Sequence, residues 1–236
     1  MNLQFIKIKN MKKWYIFLLC ILLTSISSVA QNSRSYVKNS ISSWGTCRNV
    51  AITDRGGDVA LNYNNQYSYS GIPTSLANAI QKLHDDSEFI DDIQLTENGN
   101  WLILYGNNGF QWSNIPSDLE SALREFNNNR EVVTSATFND NGDWILISTE
   151  HIRASTSNIY EWIQDGMNSY GQLWTAHITN DGLVLCFAGG YKFLGNVSDR
   201  LRNALKSSSY NVYRIKFTSG GSYFFADKDG RYSYWM

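Results

Sequence analysis

Asp92, Gln94, Thr137, His177, Arg214 and Lys216 bring a carboxylate, an amide, a hydroxyl, an imidazole, a guanidinium and an ammonium to short segments of alternating apolar and polar residues. Such groups are what acid–base catalysis or recognition of a polar ligand would use. The rest of the chemical inventory is thin. There are three histidines, His84, His151 and His177, and no HExxH, CxxC, GxSxG or phosphate-binding loop. His84 ends a helical pattern, "QKLHDDS", where a cation is favoured, and His151 falls in a turn. "FNDNGDW" (138–144) offers Asp140, Asn141 and Asp143 to a calcium ion but lacks the regular spacing and the closing bidentate Glu. Asp91 and Asp92 are neighbours on a strand pattern, face opposite ways and form no local acid–base couple. No catalytic residue, metal site or cofactor is assigned, and the reading leans away from an enzyme.

What positions these groups is a repeat. "ITDRGGDVALNY", "LTENGNWLILYG", "FNDNGDWILIST", "ITNDGLVLCFAG" and "FTSGGSYFFADK" are five versions of one phrase. Their anchoring glycines are read as Gly57, Gly99, Gly142, Gly182 and Gly221, 42, 43, 40 and 39 residues apart. In each unit an alternating run predicts a strand, Gly with Asn, Asp or Ser a tight turn, and a β-branched or aromatic run such as "WLILY" a second strand. A further turn leads to a third strand ("YSY", "FQW", "YKF", "RYSYW"). "SGIPTSLANAIQKL" and "SNIPSDLESALREF" then begin helices, with Ser113 or Asn114 as the expected cap and Pro116 in the first turn. Ile115, Leu119, Leu123 and Phe126 make one apolar face.

The last unit ends at the chain terminus without a helix, while "SRSYVKNSISSW" places Val37, Ile41 and Trp44 at the same helical spacing. The expected fold is therefore an α+β repeat. It has five antiparallel three-stranded units, each followed by a helix, in a closed propeller-like ring whose N-terminal helix completes the last unit. An open β/α solenoid is the alternative. The units run about 45–89, 90–132, 133–172, 173–211 and 212–236, with the N-terminal helix at 33–44. In a five-unit ring Cys47 and Cys186 lie in units one and four and are too far apart to bridge.

Aligning first strands gives two sets of equivalent positions: Asn49, Asp92, Ser135, Thr175 and Arg214, then Ala51, Gln94, Thr137, His177 and Lys216. The positions between them, Val50, Ile93, Ala136, Ala176 and Ile215, are all apolar. One face is core and the other is mostly polar. Its side chains differ from unit to unit, as a site for an asymmetric ligand requires, and a water-filled channel wall is the alternative. From this face Asp92, Gln94, Thr137, His177, Arg214 and Lys216 are the candidate ligand-binding residues. Recurrent third-strand aromatics (Tyr67 and Tyr69, Phe110 and Trp112, Tyr191 and Phe193, Tyr232 and Tyr234) are either stacking platforms or core beneath the helices.

The phrase "WLILYGNNGFQWSNIP" resembles a tandem repeat of bacterial secreted and multidomain proteins with a Trp-aliphatic-Leu-Tyr-Gly-x-Asn-Gly core followed by Ile-Pro and a helix. The resemblance is closest over 95–126. Unit three lacks the Tyr-Gly and the Pro, and unit four has Leu183 in place of the Trp. It implies a β-propeller-like repeat and no activity.

The N-terminus carries four lysines, an apolar run "WYIFLLCILL" and Ser28-Val29-Ala30, the form of a signal peptide over 1–30. Its removal leaves 16 basic and 21 acidic residues, a balance of −5, and takes Cys20 with it. No basic stripe suggests nucleic acid, and no membrane span remains after cleavage. The sequence thus points to a secreted or periplasmic, non-enzymatic repeat domain that binds a protein or carbohydrate at one end of the ring. A polysaccharide-acting hydrolase or lyase, or a purely structural module, are the alternatives.

Overall fold

The computed structural model describes residues 34–106 and 108–236; the expected signal peptide, with Cys20, lies outside the described residues. After a helix α1 (34–44) the chain forms five three-stranded antiparallel sheets. They are β1 (Asn49–Ile52), β2 (Asp58–Leu61) and β3 (Tyr67–Ser70); β4 (Ile90–Leu95), β5 (Trp101–Tyr105) and β6 (Gly109–Ser113); β7 (Val133–Phe138), β8 (Trp144–Ser148) and β9 (Ile152–Ala154); β10 (Leu173–Ile178), β11 (Gly182–Phe187) and β12 (Gly190–Gly195); and β13 (Arg214–Phe217), β14 (Tyr223–Ala226) and β15 (Tyr232–Trp235). Helices α2 (Thr74–Asp85), α3 (Ser117–Asn128), α4 (Ser157–Tyr170) and α5 (Asp199–Lys206) follow the first four sheets. This is a propeller-like repeat fold.

Each sheet is a meander with its first strand innermost. β1 lies against β4, β4 against β7, β7 against β10, β10 against β13, and β13 against β1. Because the inner and middle strands lie between neighbouring sheets, they are buried along nearly their whole length. The core accordingly divides into five clusters, each filled by two adjacent sheets and one helix. Leu76, Ile80 and Leu83 of α2 join Val59 and Leu61 to Ile93 and Ile103. Leu119, Leu123 and Phe126 of α3 join Leu102 and Leu104 to Ala136 and Leu146. Helix α4 (Ile163) and helix α5 (Leu201, Leu205) serve the next two seams. The fifth cluster sets Val37 and Ile41 of α1 among Val50, Ala60, Phe224 and Ala226, joining the last sheet to the first. The third-strand aromatics line these clusters beneath the helices: Tyr67, Phe110 and Trp112, Tyr191 and Phe193, Tyr232 and Tyr234. Arg124 of α3 lies 5.2 Å over the Trp112 ring.

Local details correct the sequence reading. The turn glycine of unit one is Gly56, not Gly57: Gly56, Gly99, Gly142 and Gly221 have φ of 84°, 82°, 90° and 91°, which only glycine adopts without strain. "RGGD" offers two glycines, and the turn selects the one at the left-handed position. In unit four the turn is a residue shorter, closed by Thr179 N–H on Gly182 O at 2.8 Å, so Gly182 belongs to β11. Helix α3 is not capped by Ser113 or Asn114. Pro116 itself is the N-cap, extended at ψ 136°, as Pro73 is for α2. Ser113 ends β6, and Asn114 turns the chain at φ 54° while its amide donates to Asn100 Oδ1 at 2.7 Å. Where the proline is missing, a side chain caps instead: Thr156 accepts from Ile159 N–H and Ser198 from Leu201 N–H. Among the described residues Cys47 and Cys186 are buried free thiols, in separate clusters. No helix among the described residues is long and apolar enough to cross a membrane.

Candidate functional site

An inner strand is the edge of its own sheet, so its inward backbone groups need partners from outside the sheet. The polar inner positions supply them. Thr137 Oγ1 accepts from Ile178 N–H of the next unit at 3.0 Å, and His177 Nδ1 accepts from Phe217 N–H of the unit after it at 3.3 Å. Ser135 and Thr175 share a hydrogen bond at 3.3 Å. Asp92 is the centre of a second group: its Oδ1 accepts from Asn49 Nδ2 and from Lys216 Nζ, each at 2.7 Å, and its Oδ2 from Gln94 Nε2 at 3.4 Å.

Five of the six candidate residues are therefore buried and mutually or backbone engaged: Asp92, Gln94, Thr137, His177 and Lys216. Burial pushes the Asp92 carboxyl upward, and the Lys216 and Arg214 charges with the Lys216 and Gln94 hydrogen bonds outweigh it, holding the group below the usual carboxylate range. Burial, aided by the Lys216 charge, drives His177 down to about 3, so its ring is neutral and its Nδ1 lone pair is free to accept. An imidazole so depressed keeps one proton on Nε2 and has no imidazolium proton to give as a general acid near neutral pH.

At the hairpin end of the units a further network runs from turn to turn. Glu97 accepts from Asp54 N–H (2.7 Å) and Arg55 N–H (3.3 Å) of unit one. Asp140 accepts from Thr96 Oγ1 (2.5 Å), Asn98 N–H (3.2 Å) and Asn100 Nδ2 (3.0 Å) of unit two. Asn180 accepts from Asp140 N–H, Asp181 from Ser219 Oγ, and Asp54 from Gly220 N–H at 2.8 Å. The "FNDNGDW" carboxylates are thus committed to the turns. No group of three or more His, Cys, Asp or Glu among the described residues is placed to hold a metal ion. A cleft of about 430 Å³ lies here between units three and four, lined by Asn139, Asp143, Ile159, Asn180, Leu183 and Leu194, but Asn139 and Asn180 already belong to the network.

The opposite end, where the first strands begin, is different. Register shifts before Asp92, Ser135 and Thr175 make bulges of Asp91, Thr134 and Trp174. A bulge re-aims the side chain it carries, and with Arg48 and Tyr213 of units one and five these residues surround the mouth of the inner strands. Trp174 and Tyr213 stack at 4.5 Å with ring planes 11° apart. Arg48 is 5% exposed, its guanidinium 4.1 Å over the Phe89 ring and its Nη1 3.3 Å from Asp91 Oδ1. Its Nε and Nη2 are buried without a hydrogen-bond partner among the described residues, as is Nε of Arg214. Burial lowers Arg48 to about 10 against the opposing pull of Asp91, so it stays charged at neutral pH. Arg214 is the candidate that stands apart from the other five: it donates to Tyr213 O at 2.8 Å and lines a cavity of about 230 Å³ with Asp91, Leu104, Tyr105, Val132 and Val133. Tyr63, Phe89 and Val132 are exposed on the same end.

Arg48, Asp91, Trp174 and Tyr213 were not among the sequence candidates. The alignment of first strands carries them one position earlier, where the series Arg48, Asp91, Thr134, Trp174, Tyr213 contains no aliphatic residue. The bulges that make this position matter have no signature of their own.

No protein-family model and no curated protein matches the chain. Among solved structures, one that resembles it is "YCF48 bound to D1 peptide", at 13% identity and a TM-score of 0.28, covering 80% of this chain. The chain spans about half, 51%, of that protein's length.

Proposed function

We propose that this chain is a secreted, non-enzymatic repeat domain whose five units close into a ring, and that it binds a protein or carbohydrate through the end where the first strands begin. The observation that carries the reading is the contrast between the two sets of polar groups. The inner acid, base and hydroxyls are buried and paired with one another or with backbone. The guanidinium groups at the leading end keep donors that have no partner among the described residues, beside exposed aromatic and apolar side chains. Tyr, Trp and Arg around a partly desolvated pocket are the composition of a recognition surface. Ring closure is supported by the β13–β1 contact, by the fifth core cluster, by Gly220 N–H on Asp54, and by Tyr63 Oη on Lys228 O. Arg34, at the start of α1, also bridges Ser222 Oγ of unit five and Thr53 O of unit one.

The test is a combined peptide and glycan array probed with the purified protein, with turnover assayed on the same glycans. Saturable binding that Phe89→Asp or Val132→Asp abolishes, while Asp143→Ala leaves it unchanged, supports the reading. Turnover of any glycan, or binding indifferent to the leading-end substitutions, contradicts it. Secretion is checked by the mass of the exported chain, expected to start at Gln31.

A further inference from the structure

Three groups at the leading end meet in a way the inner strands do not explain. Arg48 and Asp91 pair at 3.3 Å, while Arg214, which makes no ion pair among the described residues, lines the 230 Å³ cavity. Arg48 is more than nine-tenths buried and still has two nitrogens without partners among the described residues, and Nε of Arg214 is in the same condition. Buried donors are paired in folded proteins as a rule, and leaving one unpaired costs about 1–3 kcal/mol. Of the two, Arg214 lines the cavity, while Arg48 packs over the Phe89 ring. Acceptors that satisfy a guanidinium fork in pairs are carboxylates and phosphates.

The shape of the cavity chooses between them. Its lining mixes the apolar Leu104, Tyr105, Val132 and Val133 with Asn108, Thr134 and two glycines, and Arg214 and Asp91 supply the charge. A phosphate group carries close to two charges, so Asp91 repels it about twice as strongly as it repels a singly charged carboxylate. A single carboxylate on a short aliphatic stem matches both parts, its charge on Arg214 and its methylenes on the valines. Val132 is 47% exposed and Phe89 is 37% exposed at the rim, where a flanking apolar residue of the same ligand would lie. An extended glycan acid would instead present a hydroxylated ring to Val132 and Phe89 at the rim, so a peptide is the better fit.

We propose that this cavity receives the side-chain carboxylate of a Glu in an extended peptide segment, with the neighbouring apolar residue of that segment on Val132 and Phe89. The inference rests on the binding reading above and gives it a ligand class. The probe is a labelled peptide, Ac-Ser-Gly-Leu-Glu-Leu-Gly-NH2, whose binding to the full chain is followed by fluorescence polarisation. Its Gln counterpart and trigalacturonate serve as comparison ligands. The Glu peptide is expected to bind at least tenfold more tightly than the Gln peptide. Arg214→Gln, at a half-buried position, should erase that difference while the far-ultraviolet circular dichroism stays unchanged; Arg214→Lys should restore part of it. Equal affinity for the Glu and Gln peptides overturns the carboxylate assignment. Binding of trigalacturonate without the peptide overturns the peptide class but leaves the binding reading intact. No binding of the three ligands, alongside array binding that maps to other residues, overturns the cavity alone; glycan turnover overturns the parent reading.

Discussion

Lys216 and Asp92 make a 2.7 Å ion pair with both side chains almost wholly buried. Such a pair is weak evidence for stability, yet removing one partner strands the other charge. Lys216→Met should therefore cost about 3–5 kcal/mol, and the double variant Lys216→Met/Asp92→Asn less than the single one, as read from urea unfolding. A double variant at least as unstable as the single would refute this coupling. Asp58 behaves in the opposite way. It is fully buried, 3.5 Å from Arg34 Nε, and burial raises its pKa from 3.8 to about 6, only partly offset by Arg34. Because the folded chain holds this proton more tightly than the unfolded one, the stabilisation is complete below about pH 4 and is lost as pH rises through 6. Asp58→Asn should flatten that decline and gain about 1–3 kcal/mol at pH 7. An unchanged pH profile of stability would contradict the assignment. At this scale the sequence was informative about residue type and poor about circumstance. The alternation in "DDIQLT" and "YRIKFT" marked Asp92, Gln94 and Lys216 as sharing a face. It could not say that the face is enclosed, because that depends on how closely five separate strands approach.

The hairpin turns show how an element can serve its neighbour. Four of the five carry an acid or amide at the second turn position: Glu97, Asp140 and Asn180 each accept from the preceding unit's turn, and Asp54 of unit one accepts from Gly220 of unit five. Asp140 takes three donors, so Asp140→Ala should cost about 1–3 kcal/mol by leaving them unpaired. Asp143→Ala, which removes only the 3.1 Å contact with Asn139 Nδ2, should cost less than about 1 kcal/mol. Equal losses, or a calcium-dependent rise in melting temperature that Asp140→Ala abolishes, would contradict the turn-to-turn role. The elements themselves were legible, since "WLILY", "WILIS" and the Ile-Pro helix starts carry strong local patterns. Their boundaries were less so. Gly56 and Gly57 are equivalent on paper and differ only in φ, and Pro116 was expected inside a helix that it caps. The bulges at Asp91, Thr134 and Trp174 depend on sheet-to-sheet packing and leave no local pattern, which is why the leading-end residues escaped the alignment.

For the molecule as a whole, the five core clusters are variations on one arrangement, two sheets and a helix, and the fifth uses the helix from the other end of the chain. The N-terminal helix was legible because Val37, Ile41 and Trp44 repeat the spacing of Leu119, Leu123 and Phe126 in α3. The proposed ring follows from that arrangement, and it also gathers Arg48, Asp91 and Arg214 of three different units at one end. The direct measurement is of distances between spin labels on the exposed β2–β3 type turns, at Asn64 of unit one, Glu150 of unit three and Lys228 of unit five, by pulsed electron paramagnetic resonance. A ring makes units one and five neighbours, so the 64–228 distance should be shorter than both 64–150 and 150–228. An open array would place the same pair farthest apart, and a 64–228 distance longer than the other two would contradict the account.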